Sequence, residues 1–186
     1  MTAPSNLLLS GRPRSGKTTI VQRVVEVLSA DGFTMGGVFC PEIRRNGERV
    51  GFEIVDVMSG ERATLAHVNR ETGPTVGKYR VDVPSVDGMS RQALTAALEA
   101  ADVIVIDEIA PMEVQSEAFV RHARRALDSE HPVLAVIQQG STRGFIGEVT
   151  ARPDVKLLEV SPENRDRLPG SIADRVRGLI GGPAGE

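Results

Sequence analysis

The amino-acid sequence predicts an α/β fold with a mostly parallel central sheet flanked by helices and an antiparallel hairpin insertion. Three stretches predict it. Leu7-Leu8-Leu9 runs into Gly11-Arg12-Pro13-Arg14-Ser15-Gly16-Lys17-Thr18, the pattern G-x-x-x-x-G-K-[ST] between a strand and a helix, which is the setting a phosphate-cradling loop requires. Val103-Ile104-Val105-Ile106 has the β-branched, apolar composition of a strand buried on both faces of a parallel sheet, and it ends on Asp107-Glu108. Between the two, Ile43-Arg44-Arg45, Asn46-Gly47 and Val50-Gly51-Phe52-Glu53-Ile54 read as a hairpin with a positive-φ turn.

In the loop, Gly11 and Gly16 let the backbone turn tightly so that successive N–H groups face phosphate oxygens, and the helix opening near Lys17 adds the positive end of its dipole. Lys17 supplies charge for the β- and γ-phosphates, and Thr18 offers a hydroxyl to Mg²⁺. Ile20, Val21, Val24, Val25, Val27 and Leu28 then recur at helical spacing up to a stop at Asp31-Gly32. Phe33 to Phe39 predicts a strand in which Gly36-Gly37 permits a bend or a close backbone approach. After the hairpin, Ser59-Gly60 marks a turn, Ala63 to Val68 a third short strand, and Lys78 to Val83 a fourth. Arg44, Arg45 and Arg49 either face water or lie over a ligand, and exposure is the commoner fate of such charges.

Ser90 is expected to cap a helix from Arg91 to about Ala101, which leads into the Val103 strand. Asp107, at the carboxyl end where α/β sheets bind ligands, suits a hold on Mg²⁺, and Glu108 beside it suits polarising a water for attack on the γ-phosphate. After Ala110-Pro111-Met112, a helix carries Phe119, Val120, Ala123, Ala126 and Leu127, and Val133 to Ile137 is the next buried strand. Gln138-Gln139 at its end has the reach to sense a γ-phosphate. Gly140 to Arg152 is expected to be a flexible flap, with Arg143 as a candidate for transition-state charge. Val155 to Val160 completes the sheet. Ser161-Pro162-Glu163 is expected to start a capped segment at Asn164-Arg165-Asp166, and a last helix from about Ser171 to Ile180 has Ser171 and Asp174 at capping-box spacing.

Composition narrows the classes. Apolar residues at 40% and charged residues at 25% over 186 residues predict one soluble domain over 1–180, with 181–186 a mobile tail. A net charge of -3 provides no general basic field, so nucleic acid is not an expected partner. Cys40, the only cysteine, excludes an intramolecular disulfide and reads as a small buried residue. His67, His122 and His131 have no metal-site spacing. Residues 1–6 lack signal-peptide character and no apolar run reaches membrane-spanning length, so a cytoplasmic protein with no membrane partner is expected.

The phosphate loop, the Phe33-to-Gly51 hairpin, Val103-Ile104-Val105-Ile106-Asp107-Glu108-Ile109, Ser116-Glu117-Ala118-Phe119 and Pro162-Glu163-Asn164-Arg165-Asp166 occur in that order. In this combination the chain resembles the small nucleoside-triphosphatases of archaea and thermophilic bacteria, the family that includes the human cancer-related nucleoside-triphosphatase. The resemblance implies a RecA-like P-loop NTPase and Mg²⁺-dependent hydrolysis of ATP, GTP, CTP and UTP to the diphosphate and phosphate, slow and loosely selective for the base. It also implies that Gly11 to Thr18 bind phosphates, that Val103 to Ala110 form a second nucleotide-contacting segment, and that Asn164 and Arg165 lie near the base. Two other classes use the same loop. A nucleoside or nucleotide kinase needs an acceptor pocket and usually an arginine-rich lid, for which the flap offers only Arg143 and Arg152. The other is a non-catalytic nucleotide switch or adaptor, whose guanine-specific form would be expected to carry the N-K-x-D base-reading motif or the D-x-x-G switch motif, and neither occurs.

Overall fold

The computed structural model describes residues 5–181, so the expected mobile tail lies outside the described residues except for Gly181. β1 (Asn6–Ser10) delivers the chain to the phosphate loop, and α1 (Lys17–Ala30) leaves it with Ile20, Val21, Val24 and Leu28 buried. β2 (Met35–Phe39) precedes an antiparallel group: β3 (Glu42–Arg45), β4 (Glu48–Asp56), β5 (Arg62–His67), β6 (Thr75–Val76) and β7 (Tyr79–Val81). Then come α2 (Val83–Ala100), β8 (Val103–Ile109), a 3-10 turn at 113–115, α3 (Glu117–Leu127), β9 (Val133–Ile137), α4 (Gly144–Thr150), β10 (Val155–Glu159) and α5 (Leu168–Ile180).

The strands form one sheet in the order β10-β1-β9-β8-β2-β4-β5-β7-β6, with β3 beside β4. The run from β10 to β2 is parallel, and the insertion continues it antiparallel from β4 outwards. β9 stands between the strand that feeds the phosphate loop and the strand that carries the acids. Both therefore open at the carboxyl edge of a RecA-like sheet, where such folds bind ligands.

The middles of the central strands are apolar because each buries both faces. Leu7, Leu9, Val103, Val105, Leu134 and Val136 pack with residues of α1 and α5, while Leu8, Ile104, Ile106, Ala135 and Ile137 pack with residues of α2 and α3. Truncating any one of the fully buried leucines to alanine costs about 2–5 kcal/mol. The close approach expected at Gly36-Gly37 is present on two sides. A Cβ on Gly36 would lie 2.8 Å from the Ala97 Cβ on α2, and one on Gly37 would lie 1.9 Å from the Val105 carbonyl oxygen on β8.

Five local expectations are corrected. Ser90 caps nothing: α2 starts at Val83, where the Asp82 side chain accepts from the Ser85 N–H at 3.3 Å and Pro84 sits in the first turn, so Ser90 is fully buried inside the helix. The expected strand to Val83 is accordingly shorter, and Thr75–Val76 supplies its partner. Ser171 also lies inside its helix, since Pro169 opens α5 a turn earlier, and 162–167 forms a series of turns rather than a helical start. The segment Gly140–Arg152 is not an open flap, because α4 buries its own Phe145, Ile146 and Val149, leaving 138–143 before it and 151–154 after it outside regular structure.

Candidate active site

The phosphate loop takes its shape from backbone that few residues tolerate. Gly16, at φ 96°, holds the N-cap of α1 in a left-handed conformation with no side-chain cap, so the first-turn N–H groups face the loop. A Cβ on Gly11 would lie 3.0 Å from both the Ser15 Oγ and the Val160 carbonyl oxygen. Lys17 Nζ donates to the carbonyls of Gly11 at 2.9 Å and Arg12 at 2.8 Å, which lays its ammonium along the rim. The Ser15 hydroxyl is buried without a partner in the same cradle.

The acids arrive on β8. Its ladder to β9 pairs Asp107 with Val136 and then Ile109 with Ile137, so Glu108 is the extra residue of a bulge, a device that re-aims a side chain. Asp107 is 5% exposed and its Oδ2 has no partner. Burial pushes Asp107 up to about 7; the Thr18 hydroxyl draws it down, the Glu108 charge raises it and the Lys17 charge lowers it. Burial likewise raises Glu108 against the pull of Lys17. Burial also lowers Lys17, while Glu108 and Asp107 oppose that shift. Lys17, Thr18, Asp107 and Glu108, predicted from two segments far apart in the chain, therefore share one electrostatic neighbourhood.

This donor set fits Mg²⁺. The orphaned carboxylate oxygen of Asp107 and the exposed hydroxyl of Thr18 are hard donors, and Mg²⁺ typically takes one or two carboxylates with the remainder from phosphate and water. Among the described residues no group of three or more His, Cys, Asp or Glu side chains is placed to hold a metal ion.

One residue beside the acids was not singled out in the sequence. Glu113, in the 3-10 turn after β8, is 2% exposed with Oε2 unpartnered, next to the Cys40 thiol. Burial first, then the Glu108 charge, hold its carboxyl well above the ordinary range and so favour the protonated form. Burial also raises the Cys40 thiol, followed by the Glu113 and Asp107 charges. Its only signal in the sequence was an acid shortly after Asp107-Glu108, in a stretch that reads as a chain break.

Elsewhere the candidates separate. A cavity of about 400 Å³ beside the loop is lined by Arg12, Pro13, Arg14 and Ser15, by Glu159 to Pro162, and by Arg165. Asn164 does not line it. Its Oδ1 accepts from the Ser161 N–H at 2.9 Å and its Nδ2 donates to the Glu159 carbonyl at 2.8 Å, so it braces the turn that forms the cavity wall. Val103 to Ile106, Ile109 and Ala110 are buried in and beside the sheet. Gln139 donates to Glu159 at 3.2 Å. Arg152 pairs with Asp128 and Asp154 at 2.7 Å each, whereas Arg143 is exposed. The histidines are locally bonded, His122 Nδ1 to the Ala118 carbonyl at 2.8 Å and His131 Nε2 to that of Leu98 at 3.2 Å.

The chain has relatives among known proteins and solved structures. The nucleoside-triphosphatase THEP1 of Methanopyrus kandleri is 41% identical over 174 residues, 93% of this chain and 96% of that protein. The protein of the same name from Thermofilum pendens is 42% identical over 179 residues, 96% of this chain and 98% of that one. The crystal structure of THEP1 from the hyperthermophile Aquifex aeolicus superposes with a TM-score of 0.80 at 28% identity, covering 92% of this chain and 98% of that chain. The solution structure of a human cancer-related nucleoside triphosphatase gives 0.78 at 32% identity, covering 93% and 97%. The family model described as NTPase matches residues 6–173, and with these relatives it shows that the chain belongs to that NTPase family.

Proposed function

We propose that the chain is a Mg²⁺-dependent nucleoside-triphosphate hydrolase that converts ATP, GTP, CTP and UTP to the diphosphate and phosphate, slowly and with loose base selectivity. The names of its relatives support the reaction class. The observation that carries the reading is the convergence of Lys17, Thr18, Asp107 and Glu108 at the carboxyl edge of the sheet, each shifting or shifted by the others. The backbone N–H groups of Gly11 to Thr18 bind the β- and γ-phosphates, and Lys17 exchanges its loop carbonyls for phosphate oxygens, neutralising charge as it builds. Thr18 and Asp107 hold Mg²⁺, which when bound supplies Lewis-acid charge to the phosphates.

Glu108 orients the attacking water and takes its proton as the oxygen bonds to the γ-phosphorus and the bond to the diphosphate breaks. Burial raises its carboxyl toward the range in which a general base works at neutral pH. The cavity bounded by Arg12, Pro13, Val160, Pro162 and Arg165 takes the sugar and base; its volume falls in the range of small-molecule sites. In this reading Arg165 touches the nucleotide, and Asn164 acts by holding the turn.

The described residues contain no helix long and apolar enough to cross a membrane. We assign the chain to the cytoplasm as one domain over residues 1–180, with nucleoside triphosphates and no nucleic acid or membrane as its ligands. Phosphate release should occur with each of the four triphosphates in Mg²⁺ and stop in excess chelator. A phosphorylated acceptor in place of free phosphate would make the chain a kinase, and full activity in chelator would remove Thr18 and Asp107 from the mechanism.

A further inference from the structure

A second cavity, of about 280 Å³, lies between the phosphate loop and the β3–β4 hairpin, lined by Arg14, Arg44, Gly47, Glu48, Arg49, Lys78 and Tyr79. The topology explains why a hairpin from the far half of the sheet reaches the loop. β2 pairs with β4 only through Val38–Asp56 and Phe39–Val55, and β2 ends opposite Asp107. The hairpin therefore continues past the carboxyl edge of the parallel strands, and its turn arrives beside Arg14. Arg14 lines both this cavity and the larger one.

The cations here are held in place. Glu42 binds two of them, Arg44 at 2.8 Å and Arg49 at 2.8 Å. Arg44 also donates to the Gly47 carbonyl at 3.0 Å, and Arg49 Nε donates to the Tyr79 hydroxyl at 2.9 Å. The Arg49 guanidinium lies 5.2 Å from the Phe52 ring centroid and 5.7 Å from that of Tyr79, and Lys78 Nζ lies 5.5 Å from the Tyr79 centroid. Four cations thus face two carboxylates, Glu42 and Glu48, and Glu42 is shared between two arginines. A fixed fork of arginines with surplus positive charge is the arrangement that recognises phosphate. The cavity is smaller than a typical whole-ligand site, which limits the occupant to a phosphate group or the phosphate end of a larger molecule.

We propose that the cavity between the phosphate loop and the β3–β4 hairpin is a second anion site that takes a phosphate group through Arg44, Arg49, Lys78 and Arg14. Two sources present that chemistry at this place: the inorganic phosphate released in the loop, and the phosphate of a second nucleotide. The site stands whether or not the chain hydrolyses triphosphates; the reading of Gly11 to Thr18 as the triphosphate site enters only as the means of blocking the loop.

The test is a titration of inorganic phosphate into the full chain saturated with Mg²⁺ and a non-hydrolysable nucleoside triphosphate, followed by ³¹P NMR and calorimetry. Failure to saturate with triphosphate would indict the phosphate-loop reading, a result separate from the second site. Phosphate should bind the saturated chain, and Arg44→Gln with Lys78→Gln should weaken it about tenfold or more, the worth of one charged hydrogen bond, while triphosphate affinity stays within about twofold. Lys78→Gln alone, at an exposed side chain with only a ring contact, guards against a hairpin disturbed by the Arg44 change and should weaken phosphate in the same direction. A nucleoside monophosphate that binds more tightly than phosphate, and loses that excess in the double variant, identifies a second nucleotide as the source. Monophosphate binding no tighter than phosphate identifies the released product. No phosphate binding to the saturated chain, or affinity unchanged in the folded double variant, overturns the proposal.

Discussion

Asp107→Asn should stabilise the metal-free protein at alkaline pH while removing its response to Mg²⁺. Burial lifts the Asp107 carboxyl from an ordinary 3.8 to about 7, so the folded chain binds that proton more tightly than the unfolded chain does. The sign follows from linkage. Well below an ordinary carboxyl's 3.8 the group is protonated in both states and costs nothing; as pH rises toward 7 the unfolded state ionises first, and the fold loses stability until both are charged. The interval from 3.8 to about 7, at about 1.36 kcal/mol per pH unit, puts the full loss at about 4 kcal/mol above pH 7, which water reaching the site reduces. Asparagine keeps the shape and the contact with Thr18 but has no proton to lose. In urea unfolding with excess chelator, the variant should exceed the wild type by roughly 1–4 kcal/mol at pH 8, with the gain shrinking to nothing below about pH 3. Adding Mg²⁺ with a non-hydrolysable triphosphate should then stabilise the wild type far more than the variant. Equal stabilities at pH 8, or a gain that does not change with pH, would refute the claim that a desolvated carboxylate sits there.

Glu108→Gln retains size and hydrogen-bonding reach but cannot accept the proton, so kcat should fall by about a hundred- to ten-thousandfold with triphosphate affinity unchanged, as read by single-turnover hydrolysis beside equilibrium binding. Lys17→Ala should lower triphosphate affinity by about tenfold or more without moving the melting temperature, since the ammonium bonds only to two loop carbonyls. Asp82→Ala removes the cap of α2 and the partner of Arg70 and should cost about 1–2 kcal/mol in urea unfolding while leaving kcat intact, because the cap lies in the insertion and away from the acids.

What was legible in the sequence was what short stretches encode. The G-x-x-x-x-G-K-[ST] run, the four-residue β-branched strand and the Asn46-Gly47 turn, at φ 50° and 81°, each carry their own local cause. Helix starts were less legible because several residues compete to be caps. Ser90 and Ser171 look like caps in isolation, yet proline sets each helix start a turn or more upstream, at Pro84 and Pro169. The expected flap failed for a related reason: its glycines and polar residues drew attention away from Phe145, Ile146 and Val149, which close a short helix.

At the site, the residue types were readable and their environment was not. Asp107 as a candidate metal ligand follows from its place at a strand end, but the upward shift of its carboxyl comes from β2 and β9 packed on either side, contacts between segments distant in sequence. Glu113 illustrates the same limit. An acid in a chain break reads as solvated, and it is buried only because the turn folds back under β8 onto Cys40. The arginines of the hairpin mark the boundary most sharply. Facing water was the commoner expectation for Arg44 and Arg49, and both side chains are indeed 50% and 42% exposed. Exposure alone does not separate a solvated cation from one poised over a ligand. What separates them is the company: a shared carboxylate, two aromatic rings and the crest of a phosphate loop, brought together because β4 pairs with β2 over only two residues and carries the hairpin past the sheet edge.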